Sequence, residues 1–272
     1  MNHKEIIAKV ETEVEAAFNE EGFKLYLETQ SRFHTYSARN ALLIQAQRPG
    51  ATRVAGYDKW REFNRFVRKG EKAIWITAPM IRKVETAEGK EETVHGFKPV
   101  TVFDITQTDG EELPEPPMPT LLNDKEGNPI LAEAMVQVAE HLGYTIVVEA
   151  IESANGYTDF ITHEIHINDG ITKLQLCKTL AHELAHALLH EDRGILREIP
   201  RGQLEMEAES VAYAVMFAHG MDSSEYSMPY ITRWSTVADG KEGFKKALPR
   251  IARGIKTLTN MIDERTNQTV DA

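Results

Sequence analysis

The sequence predicts an α+β fold divided between two domains. Three observations carry this: the hydrophobic period changes from helical to alternating near residue 73, a proline-rich acidic stretch breaks the chain after Thr108, and helical periodicity returns beyond residue 130. A length of 272 residues accommodates two domains, and 42% hydrophobic residues suffice to give each a core. The expected division is residues 1–110, a linker over 111–125, and residues 126–272. The first should hold a β-hairpin-rich sheet with helices, the second a small sheet with two helices that carry the chemistry.

Ile6, Ile7, Val10, Val14, Ala17 and Phe18 recur at helical spacing and predict an amphipathic first helix with an acidic outer face. Gly22 is expected to end it, and a second helix to run through Leu25, Tyr26 and Phe33. Ser37 can cap a third, which Pro49-Gly50 closes. A short strand and turn at Thr52–Gly56 leads to a short helix over Tyr57–Phe63, and Lys69-Gly70-Glu71-Lys72 is a turn. Alternation over Ala73–Val84 and Val94–Thr106, about Glu88-Gly89-Lys90, marks a β-hairpin. Pro79 and Pro99 lack a backbone donor, which assigns each to an edge or a bulge. Thr108–Pro119 is too poor in apolar residues to pack and reads as linker. Beyond it come a helix over Ile130–Leu142 ended by Gly143, then strands at Tyr144–Glu149 and Glu164–Asn168 around a turn at Ser153–Gly156. A helix capped by Thr172, another over Gln203–His219 and a last amphipathic one through Phe244, Leu248, Ile251, Ile255, Leu258 and Ile262 complete the chain.

The helix after Thr172 contains Leu180-Ala-His182-Glu183-Leu-Ala-His186-Ala-Leu-Leu-His190. Residues four apart share a helix face, so the imidazoles of His182 and His186 can meet one metal ion. Glu183 lies at the edge of that face, where it can take a proton from a water that zinc acidifies to a pKa of roughly 7. Leu176, Leu180, Leu184, Ala187 and Leu188 form the apolar stripe that buries the helix. Catalytic zinc needs a third protein ligand. His190 is about 12 Å along the axis from His182, too far to share the ion, and reads as a supporting or helix-end residue. Glu205 and Glu209 share one face of the later helix, so either can ligate while the other orients a histidine. A Tyr or His should stabilise the oxyanion, with Tyr213, His219, Tyr226 and Tyr230 as candidates.

The formal net charge is -11, yet residues 32–72 carry ten Lys or Arg against Asp58, Glu62 and Glu71 only, a local +7. At contact distance such a face binds anions whatever the global charge, because screening acts over about 8 Å. Phe33, Tyr36, Tyr57, Trp60, Phe63 and Phe66 interleave with it, the combination by which single strands are held. Cys177 is the one cysteine, so no internal disulfide forms, and its place on the zinc helix suggests packing. The N-terminus lacks the apolar core of a signal peptide and no stretch approaches the roughly 20 apolar residues of a membrane span. A cytoplasmic protein with no membrane partner is expected.

His182-Glu-Leu-Ala-His186 followed by Glu205-x-x-Ala-Glu209 resembles the zincin-type peptidases of the ImmA/IrrE group, whose second motif has Asn or Asp where this chain has Glu209. That resemblance implies Glu205 as the ligand. Four further stretches are similar to the N-terminal domain of ArdC antirestriction proteins: Tyr36-Ser-x-x-Asn40-x-Leu-Leu-Ile-x-x-Gln47, Ala51-Thr-Arg-Val-Ala-Gly-Tyr-x-x-Trp60, Val67-Arg-Lys-Gly-Glu-Lys-Ala-Ile74 and Val102-Phe-Asp-Ile-Thr-Gln-Thr108. Glu207-Ala-Glu-Ser-Val-Ala-Tyr213 is similar to the second half of that family. The family implies a module that binds single-stranded DNA, a zinc metallopeptidase-like domain, and a role on mobile elements in shielding incoming DNA from restriction. Arg39, Asn40, Arg53, Lys59, Trp60, Arg65, Arg68, Lys69 and Lys72 are the candidate DNA contacts, with the turn Arg65–Lys72 foremost because like charges so close together call for a partner. The competing expectation is a zinc endopeptidase acting on a repressor or restriction protein, with the N-terminal domain as a protein-docking module.

Overall fold

The computed structural model describes residues 19–85, 91–113, 127–192, 198–223 and 240–270, with isolated positions 5, 8, 9, 12, 15–17 and 227. Most of the expected first helix, the hairpin turn at Glu88-Gly89-Lys90, the linker beyond residue 113, Tyr226 and Tyr230 lie outside the described residues. In chain order the elements are helices α1 (Glu20–Arg32) and α2 (Ala38–Gln47), strand β1 (Val54–Ala55), helix α3 (Tyr57–Glu62), and strands β2 (Arg65–Val67), β3 (Ile74–Glu85) and β4 (Glu91–Asp104). A 3-10 turn (Ile105–Gln107) and strand β5 (Thr108–Gly110) follow, then helix α4 (Pro129–His141), strands β6 (Thr145–Glu149), β7 (Gly156–Asp159) and β8 (Glu164–Asn168), and helices α5 (Lys173–His190), α6 (Arg201–Ala218) and α7 (Gly240–Val270). The fold is α+β, as expected. It forms two compact units, residues 1–16 with 39–114 and residues 17–38 with 115–272.

In the first unit β4 lies between β1 and β3, and β3 pairs with it antiparallel in unbroken register from Ile74↔Val102 to Glu85↔Glu91. Pro79 sits on the outer strand, and Pro99, opposite Thr77, falls where the two-residue β1 no longer reaches β4, so neither proline costs a ladder bond. Helix α2 supplies what a further strand would. Asn40 donates to the carbonyl of Thr77 and accepts from its N–H at 2.9 and 3.0 Å, and Gln47, two turns on, does the same for Trp75 at 2.8 and 3.0 Å. Two side-chain amides thus cover the sheet edge that would otherwise offer itself to another chain. Replacing Asn40 by Leu leaves two buried backbone groups of Thr77 without partners, and should lower stability by about 1–3 kcal/mol in urea unfolding.

Thr108–Gly110, expected as the start of the linker, is instead a strand paired with Arg65–Val67. Its residues are tied by Arg65, whose guanidinium donates to the Thr108 hydroxyl and carbonyl, and by Arg68, which pairs with Asp109 and Glu71. Trp60 is core, 1% exposed, its indole N–H donating to the carbonyl of Phe103 at 2.9 Å.

Residues 17–38, expected in the first domain, group with the later residues. Phe23, Tyr26 and Leu27 of α1 are buried, Phe23 packs edge-on against Phe244, and Tyr213 donates to Glu28 at 3.2 Å. Gly22 opens α1 and does not separate two helices: Asn19 is the cap and accepts from its N–H at 3.0 Å. In the small sheet of this unit β8 is central, parallel to β6 and antiparallel to β7. Thr172 caps α5 as expected, accepting from Gln175. Ala181 and Ala185 on α5 and Ala208 and Ala212 on α6 are fully buried, and their short side chains let the two helices approach closely. Strand β7 is as close to α5, since a Cβ on Gly156 would lie 2.7 Å from both the His166 carbonyl and the Thr179 methyl.

Candidate metal centre

The helix spacing of His182 and His186 brings their Nε2 atoms to 3.1 Å, and one carboxylate oxygen of Glu205 lies 3.5 Å from each. A tetrahedral ion with bonds of roughly 2 Å holds its ligand atoms roughly 3.3 Å apart, so the three edges already have the right length. The other ring nitrogens determine what faces inward. His182 Nδ1 lies 3.0 Å from Glu209 Oε2, and an ionised carboxylate only accepts, so Nδ1 carries the proton and Nε2 presents a lone pair to the centre. Two imidazole lone pairs at 3.1 Å repel unless a cation lies between them. The donor set therefore fits a divalent ion, and Glu205, not Glu209, stands with the histidines, while Glu209 holds His182 from behind and is itself 2.9 Å from Lys178 Nζ.

Burial opposes charge on His182, but the carboxylates of Glu205 and Glu209 outweigh it and carry the imidazole up to about 10. Burial and the neighbouring His182 push His186 down to about 4. The two imidazoles beside it hold Glu205 well below the usual carboxylate range. One proton thus stands where the ion would. In metal-free protein a raised His182 contributes stability that is complete below its ordinary 6.5 and is lost as pH rises through about 10. The urea midpoint of chelated protein should fall across that window; saturating divalent ion, replacing the proton, should flatten the fall. His186 acts only between about 4 and 6.5 and does not enter it.

Glu183 is 5% exposed, with burial raising its pKa, and Thr158 of β7 donates to its Oε2 at 2.9 Å. Glu207 is fully buried and bound by Arg250 and Gln203. Tyr213 donates to Glu28, and His219 Nδ1 to the Val215 carbonyl.

Among the candidate DNA contacts, two are corrected outright. Trp60 is core and Asn40, 8% exposed, is spent on Thr77, so neither reaches a ligand. Arg65 and Arg68 are engaged with β5, and Lys59 pairs with Glu62. Arg39 lies over the ring of Phe97, Arg53 is half-buried, and Lys69 and Lys72 are exposed. Of the aromatics interleaved with the basic segment, Tyr57, Phe63 and Phe66 are exposed, whereas Phe33 and Trp60 are buried.

The model of the N-terminal domain of anti-restriction factor ArdC matches residues 3–103, and that of the IrrE N-terminal-like domain, of the M78 peptidases, matches residues 139–232. The chain thus joins an ArdC-type N-terminal domain to an IrrE-like, M78-type domain. Among solved structures, metal-free antirestriction ArdC protein from the R388 plasmid superposes on this ArdC-type chain with TM-score 0.56 at 22% identity, covering 86% of each. The Mn(II)-bound structure of the same protein gives TM-score 0.48 at 21% identity, over 89% of this chain and 98% of that one. An uncharacterized protein of Bacillus anthracis is 27% identical over 97% of this chain, which spans 52% of that relative's length. The M78-type domain and the three converging ligand atoms support a divalent metal at this centre. Among the described residues no helix is long and apolar enough to cross a membrane.

Proposed function

We propose that this ArdC-type chain binds single-stranded DNA without sequence preference through its first unit, protecting it from restriction, and carries a zinc-dependent peptidase centre in its second. The observation that carries the second half is the convergence of His182 Nε2, His186 Nε2 and a Glu205 oxygen within 4.8 Å of one another. Two imidazoles and one carboxylate suit zinc better than the oxygen-preferring ions. Zinc, when bound, supplies Lewis acidity for a peptide carbonyl and lowers the pKa of water. Glu183 takes the proton of the attacking water and returns it to the leaving amine, with Thr158 fixing the carboxylate's direction. The peptide bond breaks between carbonyl carbon and nitrogen, and water supplies the new C–O bond and both protons. A repressor or restriction subunit is the class of substrate this reading favours.

Support for the DNA half comes from Tyr57, Phe63 and Phe66, 50%, 41% and 56% exposed on α3, just past its end and on β2, with exposed Arg61 and Lys69 in the same stretch of chain. Aromatic faces beside cations hold unpaired bases, each stack worth about 1–3 kcal/mol. The test uses the full chain and a labelled single-stranded oligonucleotide. Affinity should fall steeply with salt and survive chelation, and Tyr57→Ala, Phe63→Ala and Phe66→Ala together should weaken it at least tenfold. No binding at low salt would leave the first unit as a protein-docking module.

A further inference from the structure

We propose that His190, backed by Glu207 and Arg250, is a positioning residue for His186 and through it sets how tightly the centre holds its ion; this rests on the metal reading above. His190 and Glu207 are both fully buried, one turn and one helix away from the ligands. Glu207 accepts from Arg250 Nε at 2.9 Å and from Gln203 at 2.9 Å, and Arg250 Nη2 reaches its second oxygen as well. A carboxylate so supplied is an anion that only accepts. His190 Nε2, 3.4 Å from Glu207 Oε2, must therefore donate to it.

A neutral imidazole that donates from Nε2 has only its Nδ1 lone pair left. That atom lies 3.0 Å from His186 Nδ1, which must then carry the proton. His186 is thereby left with a bare Nε2, directed at Glu205 and His182. With His190 neutral, no other arrangement of protons satisfies every group from Arg250 to His186. The two ligand imidazoles are thus held in different ways. His182 meets a carboxylate directly in Glu209, whereas His186 meets one through a second imidazole, the side chain able to accept at one end and donate at the other. Groups behind a metal ligand fix its tautomer and rotation, and losing them typically costs roughly 10–100-fold in affinity.

The experiment is zinc titration against a competing chelator with the full chain. His190→Leu removes the acceptor and should weaken zinc binding roughly 10–100-fold. His190→Asn places an amide oxygen near the lost Nδ1 and should restore most of that loss. Metal-free thermal midpoints, measured in parallel, report packing alone. Zinc affinity unchanged in His190→Leu, or equally reduced in Leu and Asn variants, would overturn the proposal. Should His190→Leu not fold, Glu207→Gln takes its place: it removes the anion behind His190 and should weaken zinc severalfold, and an unchanged affinity there overturns the proposal equally. Failure of the wild-type chain itself to bind zinc is a separate result, and defeats the metal reading together with this one.

Discussion

Glu183→Gln is expected to keep the ion at near wild-type affinity while lowering peptide hydrolysis roughly 10²–10⁴-fold, the contribution of a positioned general base. The separation of the two effects follows from the geometry. The ligand atoms come from His182, His186 and Glu205, and Glu183 is not among them. Glutamine has the same length and keeps an oxygen to accept from the Thr158 hydroxyl, now 2.9 Å from Glu183 Oε2, so the side chain should stay where it is. What it loses is basicity. Burial lifts the Glu183 pKa toward the range in which a carboxylate can both take and return a proton, and an amide does neither. Metal content measured on the same preparation used for turnover decides the matter. Unchanged turnover would remove Glu183 from proton transfer; lost metal would place it among the ligands. If the biological effect depends on hydrolysis, protection from restriction should vanish with it, and persistence of protection would assign that effect to DNA binding alone.

What could be read in the sequence was whatever depends on neighbours along the chain. Strand β8 occupies Glu164–Asn168, and Thr172 caps α5, because periodicity and capping are local properties. The same holds for the two histidines, whose four-residue spacing is already a geometry. Features joining distant segments were hidden. Ribbon β2–β5 pairs three residues with three others some forty positions away, and Gly156, read as the end of a turn, opens a strand that shows only once β8 lies beside it. Strand β7 matters because it brings Thr158 to Glu183. Lys178, Gln203 and Arg250 carried no signal, being single polar residues in helical stretches whose partners are known only once α5, α6 and α7 pack together.

The conspicuous polar residues of the N-terminal stretches turned out to act on the fold. Asn40 and Gln47 complete the edge of β3, and Asp104, fully buried, accepts from the backbone N–H groups of Thr52, Arg53 and Thr106 at 2.8, 3.1 and 3.0 Å. Gln107 returns the favour to Asp104 and binds the Lys72 carbonyl. A polar side chain that recurs at set spacing can thus be buying backbone satisfaction in a small unit with few strands, and not contact with a ligand. This is why Asn40 misled as a DNA contact, whereas Phe63 and Phe66, among the aromatics that interleave with the basic segment, remain on the surface.

Arg250→Ala is expected to destabilise the second unit by about 3–5 kcal/mol, the cost of leaving a buried charge without its partner. Glu207 has no exposure, and Arg250 meets both of its oxygens, so the carboxylate has no water to turn to when the guanidinium is removed. Hydrogen bonds from Arg250, His190 and Gln203 outweigh burial and keep Glu207 ionised in the native protein; with Arg250 gone, protonation becomes the cheaper state. The destabilisation should therefore shrink when pH is lowered, because protonating Glu207 relieves it. A double replacement, Glu207→Leu with Arg250→Met, removes both charges and fills the space with apolar atoms, and should recover most of the stability lost in the single variant. Urea unfolding of the three chelated proteins measures this directly. Equal losses in single and double variants would mean that packing, not the stranded charge, sets the cost. The double variant should nevertheless bind zinc less tightly than wild type, since His190 then has no carboxylate to donate to: stability and metal affinity, which fall together in Arg250→Ala, come apart once the charge is removed with its partner.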